Sequence, residues 1–425
     1  MSQLKPSLIS VLVILSCLVL SCQKDQLVPV NGYPIIESTS DIWEIEEVDN
    51  GCIIIAYLGR DLNLLVPTKV DNLNVLELKN TAAHNYQFVR HPDSIISVDL
   101  RSAHYLKRIN YSVFNDKLNL RNVWCNDSLI HIGDATFMNC VSLEKVVVNP
   151  LLQTIANNAF KGCSSLQTVI LGEELQSIGR GAFAKCSSLK EVVIKGKITD
   201  IGPEAFSRCN ELTSVNIEGN VLNIGNEAFS YCDKLETASI KSGTNKFRLG
   251  EAAFTDCPKL IQVKIPDNTD SIMARTFENC TSLLAFKMPT NIRYVGVEAF
   301  QKCESMNKLT LNDSMKIIDY KAFYGCKDID TLICGGNLYE IGEEAFADCW
   351  SLKYVRFNTE LQHVKNYAFY FTHIKTIYLE RRETPYTAIY DLSSYRDVDT
   401  IYFSRGTRYP TTGVWQHLDV VWVAY

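Results

Sequence analysis

The sequence predicts a repeat solenoid: about twelve 23-residue coils stacked in one array, with a parallel β-sheet along one side and a cap at each end. Three observations carry this. The phrase Ile-Gly-x-x-Ala-Phe-x-x-Cys-x-x-Leu-x-x-Val-x-Ile recurs along the chain. Its phenylalanines fall at Phe114, Phe137, Phe160, Phe183, Phe206, Phe229, Phe254, Phe277, Phe300, Phe323, Phe346 and Phe369, and ten of the eleven intervals are 23 residues. The step from Phe229 to Phe254 is 25, with the excess near Ser242-Gly243-Thr244-Asn245. Three places after the phenylalanine stands cysteine in ten of the twelve units, Cys140 to Cys349, while Lys117 and Thr372 replace it in the terminal units. Departures at both ends are what capping of a stack produces.

Each part of the unit has a physical reading. Leu166-x-x-Val169-x-Leu171 ends in period-2 alternation, which suits a short strand with one buried face. Gly179 beside Ile178 permits a tight turn, Ala182 lets neighbouring coils approach, and Phe183 fills the interior. One unit cannot close a core alone, so units must stack. At about 4.8 Å per parallel strand, twelve coils give a sheet on the order of 55–60 Å long.

Composition is globular, with 46% hydrophobic and 21% charged residues. The net charge is −6 and no Lys/Arg-dense block is present, so nucleic acid is not an expected partner. Fifteen cysteines invite chemistry. A column with one thiol per coil does not gather ligands as Cys-x-x-Cys pairs do, so no metal is expected. Parallel side-chain vectors fit disulfide geometry poorly. The plainer reading is a small buried residue in the turn after the phenylalanine. The seven histidines, among them His363 and His373 beside the last coil, show no metal-ligand spacing, and no Gly-x-Ser-x-Gly occurs. The chain is expected to be no enzyme and to need no cofactor.

Residues 1–22 read as a signal peptide, with Lys5 before an apolar run from Leu8 to Leu20. The run stops at Val19-Leu20-Ser21-Cys22, which resembles a bacterial lipoprotein box and makes Cys22 the expected lipid attachment site, with Cys17 as the rival. Export to the cell envelope follows, as a surface-exposed outer-membrane lipoprotein that touches the membrane through lipid alone.

Runs such as Ile178-Gly179-Arg180-Gly181-Ala182-Phe183-Ala184-Lys185-Cys186-Ser187-Ser188-Leu189 resemble the BspA-like class of bacterial leucine-rich-repeat surface proteins. The resemblance implies a right-handed solenoid with its parallel strands on a concave face. It also implies adhesion or binding of host proteins, without fixing a ligand. The expected organisation is signal peptide 1–22, tether 23–40, N-terminal β cap and degenerate coils 41–94, solenoid 95–380 and C-terminal cap 381–425. A hairpin is expected to turn at Asn50-Gly51.

On each predicted strand the residues flanking the Val point away from the core. These two columns place an apolar strip of Trp124, Val147, Ile170 and Val193 at one end, Lys264, Lys287 and Lys308 in the middle, and Tyr354, Arg356 and Tyr378 at the other end. Exposed apolar patches and Trp, Tyr and Arg mark interaction surfaces. β-branched residues also simply suit an exposed sheet, and a flank packing over Trp124 is the other plain explanation. The expected activity is capture of a protein or glycan ligand by a monomer. The alternative is an accessory subunit of an envelope assembly such as a glycan-uptake system. Asp93-Ser94-Ile95, Asp127-Ser128-Leu129, Asp270-Ser271-Ile272 and Asp313-Ser314-Met315 also resemble bacterial O-glycosylation sites.

Overall fold

Each unit contributes two strands. In the computed structural model, which describes residues 33–81, 87–89, 95–243, 245–358, 360–379, 400–404 and 419–423, the Val-x-Ile segments form short strands such as Thr168–Leu171 and Glu191–Ile194. They pair in parallel with the next unit, Val169 opposite Val192 and Ile170 opposite Val193. A ten-stranded sheet runs from Asn63–Leu65 to Ala285–Phe286, and a six-stranded sheet from Lys308–Thr310 to Asp419–Val423. The expected single sheet is joined by a second parallel ladder. It is built of two-residue strands ending on the Ile of Ile-Gly, as in Thr154–Ile155, Ser177–Ile178 and Asp200–Ile201. That position, isoleucine in most coils and Leu249, Val295 or Val364 in three, is buried throughout, so one inward residue per step suffices to pin the coil's far side.

Both ladders are interrupted in one region. The short ladder breaks between Arg248–Leu249 and Ser271–Ile272, after the 25-residue step. The long sheet breaks after Ala285–Phe286, where Phe286 occupies the inward Val position and its ring reaches Phe277 and Phe300 at 5.2 and 5.0 Å. A side chain of that bulk displaces the strand from the register its neighbours keep.

At the N-terminal end, Trp43–Val48 and Gly51–Tyr57 form an antiparallel hairpin. Its turn is Asp49-Asn50, one residue earlier than predicted. Asn50 takes a φ of 68°, and Gly51 already pairs with Val48. A Cβ on Gly51 would stand 2.3 Å from the Asn74 carbonyl oxygen, so Gly51 serves close approach.

The core is a column of phenylalanines. From Phe114 to Phe369 the twelve rings stack through eleven contacts, with centroids 5.1–5.7 Å apart and planes within 23°. Phe88 closes the N-terminal end of the column edge-on against Phe114. The long sheet forms the concave side of the stack.

The turn around each phenylalanine is a third inter-coil ladder. Residues two before and two after the ring adopt left-handed backbone, and twenty-one of these twenty-four residues are not glycine. This alternation aims several N–H groups at the next coil. Ala135, Phe137 and Asn139 donate to the carbonyls of Asn157, Ala159 and Lys161 at 2.7–2.8 Å. Gly179, predicted as the turn former, instead lies where coils nearly touch. A Cβ there would come within 2.6 Å of backbone atoms of Ala156 and Asn157.

The cysteine column is a fourth ladder. All ten thiols are buried, and each Sγ–H donates to the carbonyl of the phenylalanine one coil back at 3.1–3.4 Å, as Cys186 does to Phe160. Cysteine is thus small enough for the turn and gives the phenylalanine carbonyl a further donor, beside the backbone N–H that reaches it in coils such as Cys186 to Phe183. On the flanks, inter-coil pairs such as Lys197–Glu174, Lys234–Glu211 and Lys327–Glu304 at 2.7–2.8 Å are exposed and add little each.

Two outcomes follow from this packing. Glu227 is an exposed left-handed residue with a φ of 57°. Glu227→Gly relieves the Cβ–carbonyl conflict and is expected to raise stability by about 0.5–1 kcal/mol, net of the entropy glycine loses, measured by urea unfolding. The second concerns alkali. Burial pushes twelve thiols above their ordinary value of about 9, Cys52 to about 11 and Cys125 and Cys140 to about 12. The folded chain therefore keeps thiol protons that the unfolded chain loses. Stability is undiminished by thiols below about pH 9 and falls as pH rises above it, by about 1.4 kcal/mol per thiol per pH unit. A melting temperature that drops by tens of degrees between about pH 8 and about pH 10 is expected. A flat profile would show that the thiols ionise in place.

Candidate functional site

The outer face of the long sheet is the surface that the fold positions most regularly. Along Thr168–Leu171, Val169 and Leu171 are buried while Thr168 and Ile170 face outward, and the other coils repeat the pattern. Val147, Ile170 and Val193 follow one another in this column, and Ile170 is 80% exposed. Trp124, opposite Val147 in the same column, is covered. The Arg101 guanidinium lies 5.3 Å from the Trp124 ring and 4.8 Å from that of Tyr33, so the three side chains pile up. Asp99, opposite Trp124 in register, holds Arg101 through an Nη2–Oδ2 contact of 2.6 Å, and Arg101 Nη1 donates to the Tyr33 hydroxyl at 2.9 Å. Trp124 therefore serves to seat the segment at Tyr33, a contact spanning 68 residues between Tyr33 and Arg101 that no repeat reveals.

Further along, Lys264, Lys287 and Lys308 are all exposed. Tyr354, Arg356 and Tyr378 come together as predicted, with Arg356 opposite Tyr378 and the two tyrosine rings 5.3 Å apart. The structure adds Tyr402. Strand Thr400–Ser404 continues the sheet in parallel, placing Tyr402 opposite Tyr378 with the rings stacked at 4.3 Å and 7°. The signal was present in Ile401-Tyr402-Phe403, whose alternation extends the column by a 24-residue step from Tyr378. Trp124 and Lys264 are six strands apart, about 29 Å at the parallel spacing, so the predicted residues form separate stations on one face. Cys22 lies outside the described residues.

The face offers binding chemistry. Among the described residues no group of three or more His, Cys, Asp or Glu side chains could hold a metal ion, and no helix is long and apolar enough to cross a membrane. The thirteen described cysteines are buried. A nucleophilic thiolate requires exposure and a positive setting, which burial opposes. Of the candidate glycosylation serines, Ser128, Ser271 and Ser314 are half-buried, Ser314 N–H donates to Asn312 Oδ1, and Ser94 lies outside the described residues.

Comparison with known proteins places the chain. The family profile of the BspA type leucine rich repeat region matches in six copies over residues 107–236, 199–330 and 270–394, about two thirds of the chain. No curated protein matches by whole-chain comparison. Among solved structures, a leucine rich repeat protein of T. pallidum shares 25% identity over 52% of this chain and 89% of its own, with a TM-score of 0.41. A leucine rich cell surface protein from Faecalibacterium prausnitzii shares 20% over 92% and 98%, with a TM-score of 0.45. A leucine-rich repeat protein from Bacteroides ovatus shares 20% over 90% and 97%, with a TM-score of 0.33. With twelve registered coils, a phenylalanine column and six profile copies, the chain belongs to the BspA-type leucine-rich-repeat family.

Proposed function

We propose that this protein is a non-enzymatic lipoprotein of the cell envelope, attached to the outer membrane through Cys22 and displayed at the surface. It captures a macromolecular ligand, protein or glycan, on the concave face of its solenoid in an adhesion-like role. Membership in a repeat family of surface and interaction proteins supports the class of activity. The observation that carries the reading is the outward column itself. It holds Ile170 largely bare and three lysines exposed on a regularly spaced sheet. Residues held on a hydrogen-bonded strand have little backbone entropy left to lose when their side chains are engaged.

The test is capture of matrix proteins and glycans by the chain from residue 23 onward. Replacing Lys264, Lys287, Arg356 and Tyr378 together by Ala is expected to weaken a confirmed ligand by about tenfold or more. Unchanged affinity removes the concave face from the account. Protease treatment of intact cells should cleave the displayed protein, and resistance until the outer membrane is opened would refute display.

A further inference from the structure

The concave face is unevenly charged along its length. In its first half the two outward columns carry two carboxylates, Asp99 and Glu191, and one cation, Lys145. From Gln262 to Tyr402 the same columns hold Lys264, Lys287, Lys308 and Arg356 and no carboxylate. The chain as a whole is acidic, at −6, so this strip is a local reversal of sign. Some lysines elsewhere on the array pair with a carboxylate of the adjacent coil, Lys197 with Glu174, Lys234 with Glu211 and Lys327 with Glu304. Among the described residues Lys264, Lys287 and Lys308 have no such ion pair. Lys264 and Lys287 stand on neighbouring coils with no carboxylate in either outward column beside them. Such a strip steers and holds anions.

The tyrosines narrow the anion's class. Tyr378 stacks on Tyr402 at 4.3 Å and 7°, and Tyr354 lies against it at 5.3 Å and 43°. Tyr378 therefore has neighbours on both sides of its ring and presents its edge outward. The edge is the positive side of the ring quadrupole, which complements carboxylates. A sugar ring seeking a bare aromatic face finds none on Tyr378. Ile333, between Lys308 and Arg356 along the strip and only partly buried, adds the apolar contact that a peptide side chain uses.

We infer that this half of the face binds an extended acidic polypeptide segment running along the stack. This rests on the concave-face reading and names its ligand class. Lys264 to Arg356 spans four strand steps, about 19 Å, the length of about six extended residues.

The test measures binding of poly-L-glutamate and of polygalacturonate to the chain from residue 23 onward, at about 50 mM and about 300 mM salt. Poly-L-glutamate should bind at low salt and weaken about tenfold at high salt. The triple variant Lys264→Glu, Lys287→Glu, Lys308→Glu should lose about thirtyfold or more with its melting temperature unchanged. The control Lys197→Glu, Lys234→Glu, Lys327→Glu makes the same change in net charge on the flanks and should stay within about threefold of the parent. Absence of poly-L-glutamate binding, an equal loss in the control, or tighter binding of polygalacturonate overturns the inference. If it falls while a captured ligand still depends on Lys264, Lys287, Arg356 and Tyr378, the concave-face reading stands and only the acidic partner is lost.

Discussion

The N–H of each phenylalanine from Phe114 to Phe346 donates to the next coil, to the carbonyl just before that coil's phenylalanine, at 2.7–2.9 Å. A coil that looks outside itself for its hydrogen bonds must repeat at a fixed length, because a buried donor without its acceptor is costly. The 23-residue period is the visible result. Alanine before the ring, glycine after the isoleucine and cysteine three places on follow from it. The alanine is the acceptor and is fully buried in most coils, the glycine sits where coil backbones nearly meet, and the thiol supplies a second donor to the phenylalanine carbonyl.

That constraint consumes the inside and the turns but leaves the outward strand positions undetermined. Any residue compatible with a pleated surface keeps the ladder intact, so variation collects there. The face reads Ile170 in one coil, Asn216 two coils on and Lys264 two coils beyond that without disturbing the register. Function is thereby separated from folding within a single strand, alternate residues serving one or the other.

The repeat, the buried phenylalanines and cysteines, the inward strand residues and the grouping of Tyr354, Arg356 and Tyr378 were all legible in the sequence, because periodicity carries them. What escaped was whatever depends on how one coil meets another. The thiol's acceptor, the left-handed turn residues and the second ladder have no compositional mark, since Glu, Lys and Tyr occupy left-handed positions at which glycine would have advertised them. Arg101 over Trp124 escaped for a different reason. It depends on a single contact with Tyr33 outside the repeat. Tyr402 lay just past the point where the 23-residue count fails, although its strand keeps the alternation.

The interruptions between Leu249 and Lys308 have a mechanical meaning. Elsewhere two hydrogen-bonded sheets brace the stack on opposite sides, and a bending load must stretch one while compressing the other. In this region each sheet in turn is interrupted, the short ladder thinning to the single Phe247–Thr269 bridge, whereas the ring column and the phenylalanine N–H ladder run through unbroken. Bending stiffness rises steeply with the separation of load-bearing layers, so deformation concentrates here, about the rings as a neutral axis. The solenoid is in effect two stiff beams in series with one compliant joint. Flexing that joint changes the distance between the apolar strip at Ile170 and the arginine–tyrosine end while leaving the geometry within each beam untouched.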